Sequence, residues 1–219
     1  MSLSSKAPDP YMQKRYFFIG DSHPMYILKD AEARGSENNL YLRTELDSAI
    51  SMHVGPTMWS FDTRADHAIS MSGEDISKFK YTVFIFGTND VIRRMGEGAS
   101  LTVCVDKYLN KIKELSWRLS LPHPIVLSPT PCGNLHTDSN WSEHSIQYNS
   151  FEDIKSRFKE VDTLLQQGCQ ARSLDFLSMY DLLALDGSLD PQYSLDGIHF
   201  NSSGRTLYLS RLDAYLQPQ

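Results

Sequence analysis

Hydrophobic and polar positions along the 219 residues alternate between short apolar runs and amphipathic stretches. Arg15 to Gly20 is aromatic and β-branched and stops at glycine, the pattern of a buried strand. Pro24 suits the first turn of a following helix, predicted to reach Arg34 and end at Gly35. Asp47 to Val54 forms a second predicted strand, stopped by Gly55-Pro56, and Tyr81 to Phe86 a third, stopped by Gly87. The unbroken apolar character of the third suits a central parallel strand covered on both faces. Leu101, Val105, Tyr108, Ile112, Leu115 and Leu119 recur at three- and four-residue intervals and make one helical stripe, ended by Pro122 and Pro124. Ile125 to Leu127 is a fourth strand. A long polar loop over 131–150 precedes a helix with Phe151, Ile154, Phe158, Val161 and Leu165 on one face. Leu174 to Leu177 reads as a fifth strand, and Gly204 to Leu216 as a closing helix.

Strands alternating with helices imply an α/β fold, a parallel sheet with helices on both faces. In such sheets ligands sit beyond the carboxyl ends of the strands. Gly20, Gly55 and Gly87 each end a predicted strand, so residues next to them share one rim.

Composition changes this picture little. The length fits a single domain over 1–219, with 1–13 as a flexible leading segment. A net charge of −6 and the lack of a basic run argue against nucleic acid as a partner. Three widely spaced cysteines suggest neither a disulfide framework nor a thiolate metal site. No apolar run approaches the roughly 20 residues needed to span a bilayer, so no membrane insertion is expected. The first ten residues lack the apolar core of a secretory signal, so a cytoplasmic location is expected.

Candidate chemistry stands at the two ends of the chain. Ser22 follows the first strand in Gly20-Asp21-Ser22, and Asp196-Gly197-Ile198-His199 lies far downstream. A serine hydroxyl needs a base within hydrogen-bond reach, and that base needs a partner to fix its tautomer. Ser22 would be the nucleophile, His199 the base and Asp196 its orienting carboxylate. An oxyanion would be met by the backbone N–H groups of Ser22 and Gly55 and by the Asn89 side-chain amide. Asp21 and Asp90 read as structural. His23 and Trp141 are candidates either to pack at the rim or to contact substrate. His136, Asp138, Glu143 and His144 match no strong metal spacing, so no metal is expected.

Gly20-Asp21-Ser22, Gly55, Gly87-Thr88-Asn89-Asp90 and Asp196-Gly197-Ile198-His199 resemble, in order, the four blocks of the SGNH hydrolases, the GDSL-type esterases. The resemblance implies a flavodoxin-like α/β/α sandwich on a five-stranded parallel sheet, and hydrolysis of an ester or thioester without a cofactor. It departs from the family pattern at His23, where an aliphatic or small polar residue usually follows the serine. Gly73 competes with Gly55 as the oxyanion glycine, and Gly55 is preferred because it directly ends a predicted strand. An α/β-hydrolase elbow is excluded locally, since Pro24 stands where its second glycine must be. The polar loop suggests a short acyl group, such as acetyl, on a polar small-molecule or saccharide alcohol. Acyl transfer by the same triad, or a binding module that retains the fold, are the alternatives.

Overall fold

The computed structural model describes residues 14–27, 32–36, 39–43, 49–53, 57–92, 99–133 and 150–217. In chain order the first elements are β1 (Lys14–Gly20), α1 (His23–Ile27), β2 (Glu32–Ser36), β3 (Asn39–Arg43) and β4 (Ala49–His53). Then come α2 (Met58–Ser72), β5 (Phe79–Ile85), α3 (Thr88–Ile92), α4 (Leu101–Leu119) and β6 (Pro124–Leu127). The chain continues through α5 (Phe151–Arg172), β7 (Asp175–Leu177), the short pair β8 (Ala184–Leu185) and β9 (Ser188–Leu189), and α6 (Ser202–Tyr215).

Among the described residues the main sheet has seven strands in the order β2-β3-β4-β1-β5-β6-β7. The run from β4 to β7 is parallel throughout. Taken alone it has the strand order of flavodoxin-like sheets, with the chain reversing direction across the sheet after β4. β2 and β3 add an antiparallel hairpin at the β4 edge.

Alternation along β1 explains why it sits in the middle. Phe17 and Ile19 are buried in one cluster with Met58, Phe61 and Ala65 of α2, the apolar stripe of α4, and Ile154, Phe158, Val161 and Leu165 of α5. Tyr16 and Phe18 are buried in a second cluster with Ile27 of α1 and Tyr208 and Leu212 of α6. A strand apolar on both faces has no place at a solvated edge, and each such side chain contributes roughly 1.5–3 kcal/mol when fully buried. The result is three layers, α/β/α.

The observed elements correct the sequence reading in two places. The helix predicted to reach Arg34 stops at Ile27, and Glu32–Ser36 is instead β2, with Gly35 opposite Leu40 of β3. The pattern also predicted no element over α2. This helix is started by a capping box, Thr57 and Ser60 each accepting from the other's backbone N–H. Its buried positions Met58, Phe61 and Ala65 lie three and four residues apart. The five expected strands are present as β1, β4, β5, β6 and β7. Among the described residues no helix is long and apolar enough to cross a membrane.

Gly20 is fixed by packing. A Cβ there would lie 2.4 Å from Pro24 Cγ and 2.8 Å from the Ile85 carbonyl oxygen. The second contact is backbone of the central strand and has no freedom to yield. Gly20→Ala is therefore expected to destabilise the fold by roughly 1–3 kcal/mol. A urea midpoint lowered with unchanged slope would show it.

Candidate active site

The parallel register sets the rim. Gly20 pairs with Ile85 and Ile85 with Leu127, so β1, β5 and β6 end together at their carboxyl ends. Immediately beyond, the Asp21 N–H donates to the Ile85 carbonyl at 3.1 Å, which carries the chain off the end of β1. Ser22 follows in a bend before α1 and is partly exposed. Its Oγ lies 2.8 Å from Nε2 of His199, across a sequence separation of 177 residues.

His199 is delivered by a turn that Asp196 organises. One oxygen of Asp196, Oδ1, accepts from the N–H of Ile198 at 3.0 Å and of His199 at 2.8 Å. The other, Oδ2, lies 2.7 Å from His199 Nδ1. The Ser194 hydroxyl accepts from the Gly197 N–H at 2.7 Å, and the Leu195 N–H donates to the His199 carbonyl at 2.8 Å, closing the turn. Gly197 sits at φ 86°, a conformation that side-chain-bearing residues rarely adopt. Its carbonyl accepts from the Gly133 N–H at 2.7 Å, tying the turn to the segment after β6.

These bonds decide the proton positions. A carboxylate accepts, so His199 carries its hydrogen on Nδ1 and presents the Nε2 lone pair to Ser22. Partial burial pushes the Asp196 carboxyl up. Hydrogen bonds from the His199 ring, the His199 N–H and the Ile198 N–H outweigh that and hold it at about 2. Asp196 therefore stays ionised when it faces an imidazolium. The Tyr26 ring stacks on His199 at 4.1 Å between centroids and 20° between planes. Burial and the Asp196 charge keep its phenol protonated.

The other residues singled out in the sequence divide. Asn89 lies in the first turn of α3, directly beyond β5 and partly buried. Asp90 is fully buried, with both oxygens accepting from the Met58 N–H at 2.9 Å, so it anchors the start of α2. Gly73 is the C-cap of α2, some four turns from that anchored end, and it precedes the strand start of β5. That puts it at the opposite edge of the sheet from Ser22. Gly55 and Trp141 lie outside the described residues, as do His136, Asp138, Glu143 and His144. His23 is 2% exposed, with its ring nitrogens 3.0 Å from Asp21 Oδ1 and 3.3 Å from the Ile198 carbonyl. Both ring nitrogens thus face protein atoms. Among the described residues no group of three His, Cys, Asp or Glu side chains could hold a metal ion.

No family model matches the sequence, and no curated protein matches it. Solved structures do match. A Streptococcus pneumonia protein provisionally designated a platelet activating factor is 18% identical over 94% of this chain and 85% of its own, with a TM-score of 0.67. A protein of Parabacteroides merdae provisionally designated a GDSL-like lipase is 13% identical over 91% of this chain and 94% of its own, at 0.62. A carbohydrate acetylesterase from Sinorhizobium meliloti is 13% identical over 92% and 99%, at 0.57. The chain shares its fold with all three. The α/β/α architecture expected from the four motif blocks is thus also the architecture of a GDSL-like protein.

Tyr26 was not singled out in the sequence. It stands four residues after Ser22, one helical turn on, which places it over the same rim; that spacing was the available signal.

Because the Asp196 carboxyl is depressed in the folded chain, it contributes stability above its ordinary value near 3.8, and that stability is lost as pH falls toward about 2. Asp196→Asn keeps the backbone acceptor and removes this dependence. Relative to that variant, wild type is expected to lose about 2 kcal/mol between roughly pH 5 and pH 2. Paired urea titrations across that range check it.

Proposed function

We propose that the protein is a serine-dependent carboxylic ester hydrolase of the SGNH, or GDSL, type. The observation that carries this reading is the continuous hydrogen-bond path from Ser22 Oγ to His199 Nε2 and from His199 Nδ1 to Asp196 Oδ2, at 2.8 and 2.7 Å. Each member has the acceptor or donor that its role requires.

In this reading Ser22 Oγ attacks the ester carbonyl carbon while His199 Nε2 takes the hydroxyl proton. The tetrahedral intermediate collapses as the carbon–oxygen bond to the alcohol breaks, and His199 returns the proton to the departing oxygen. Water, deprotonated by His199, then attacks the acyl-serine. The carboxylic acid leaves and Ser22 regains its proton. Asp196 orients the ring and offsets its charge in both halves. The N–H groups of Ser22 and Gly55 and the Asn89 amide are the proposed oxyanion donors, each worth roughly 2.7–4 kcal/mol where well aimed.

The proposed substrate is a short acyl ester, acetyl above all, of a polar or saccharide alcohol. Two observations support it. A carbohydrate acetylesterase shares the fold. Of the exposed large apolar side chains among the described residues, Leu195 alone belongs to the turn that carries the base, which offers little surface to a long acyl chain.

Hydrolysis of p-nitrophenyl esters of increasing chain length tests both levels. Turnover is expected to fall beyond short chains and to drop by several orders of magnitude in Ser22→Ala and in His199→Ala. The double variant should cost little more, because the triad acts as a unit. Asn89→Ala should retain more activity than either. A folded Ser22→Ala variant with normal turnover would overturn the mechanism, and turnover rising with chain length would overturn the substrate.

A further inference from the structure

His23 is buried, and the reaction just described gives it no part. Its ring joins segments 175 residues apart. Nε2 meets the carbonyl of Ile198, the residue before His199. Nδ1 meets Oδ1 of Asp21, the residue before Ser22, and the same oxygen accepts from the His23 backbone N–H at 3.0 Å. Each end of the bridge is one residue from a reacting side chain.

The surroundings leave the bridge little play. The His23 ring centroid lies 5.2 Å from that of Phe200 and 5.6 Å from that of His199. The Thr88 hydroxyl, from the third motif block, is 3.5 Å from Nδ1. Asp21 is 1% exposed, and its Oδ2 has no hydrogen-bond partner among the described residues. A buried carboxyl with one empty oxygen is costly unless its other oxygen is strongly held. The His23 ring and backbone hold it.

We propose that His23 is a positioning residue that locks the turn carrying Asp196 and His199 onto the turn carrying Ser22, through the Ile198 carbonyl at one end and Asp21 at the other. The inference rests on the reading of Ser22 and His199 as nucleophile and base. A carbonyl can only accept, so Nε2 must carry a hydrogen. The Asp21–His23 pair then supplies the second hydrogen bond from whichever partner holds the remaining proton. The strut sets where His199 Nε2 stands relative to Ser22 without touching substrate. It also accounts for the departure from the family pattern at this position: an aliphatic side chain could pack here but could not bond to the Ile198 carbonyl.

The test combines kinetics with NMR of protein labelled in its histidine rings. His23→Leu is expected to lower kcat on a short p-nitrophenyl ester by roughly 10- to 100-fold, the scale of a misplacement of about 1 Å, with KM nearly unchanged. The bonded Nδ1–H signal of His199 should broaden or move toward that of a freely exchanging ring. His23→Gln, whose amide N–H can reach the Ile198 carbonyl, should recover most of the rate and the His199 signal. Wild-type kcat in His23→Leu, or equal losses in both variants with the His199 signal unmoved, would overturn the strut. So would a wild-type His23 whose Nε2 carries no hydrogen, a result that needs neither variant to fold. A wild-type protein inert toward every ester would instead count against the hydrolase reading, and the ring signals would still decide the strut.

Discussion

The whole site depends on the parallel pairing of β1 with β5. Their register sets Gly20 beside Ile85, and Asp21 continues the contact with one more hydrogen bond to the Ile85 carbonyl. That bond directs Ser22 out over the end of the sheet instead of onward along it. Because β5 and β6 run the same way, the residues after them arrive at the same rim. A parallel sheet thereby collects chemistry from segments far apart in sequence, and the crossover helices that make the strands parallel also bury both faces. Pro24 packed against Gly20 shows how little room the exit leaves.

Buried polar side chains then hold the rim in one arrangement. Asp90 accepts from the Met58 N–H and so joins the third motif block to the start of α2. Burial pushes its carboxyl up to about 7, against the pull of the Met58 N–H and with the nearby Asp21 charge adding to the rise. A charge in that position is costly to bury, and the bond to the Met58 N–H offsets part of that cost. Asp21 and His23 link the turn of Ser22 to the turn of His199. Three buried side chains thus hold contacts at the rim where Ser22, His199 and Asp196 meet.

Much of this was legible in the sequence, for identifiable reasons. β1 and β5 are apolar on both faces and read directly as central strands, and α4 carries a clean stripe from Leu101 to Leu115. The Asp196–His199 pair was readable because its partners lie three residues apart, so local geometry nearly fixes their contact. The hairpin was misread because Pro24 and Gly35 look like the ends of one helix, while pairing between β2 and β3 is a backbone property that the helix pattern conceals. The alternation of Leu40 and Leu42 with polar neighbours was the signal that pointed the other way. α2 was missed because its buried face is narrow and its sequence is polar; the Thr57–Ser60 capping box marked its start. The role of His23 was left open between rim packing and substrate contact because its partners, Asp21 beside it and Ile198 far away, require the fold to bring one of them to it.

The most direct test of the central claim, that His199 activates Ser22 as a nucleophile, is reaction with a fluorophosphonate followed by intact-mass and peptide analysis. The account predicts one adduct per chain, on Ser22, formed far more slowly in His199→Ala. Modification at another residue, or equal labelling of Ser22 with and without the histidine, would contradict it.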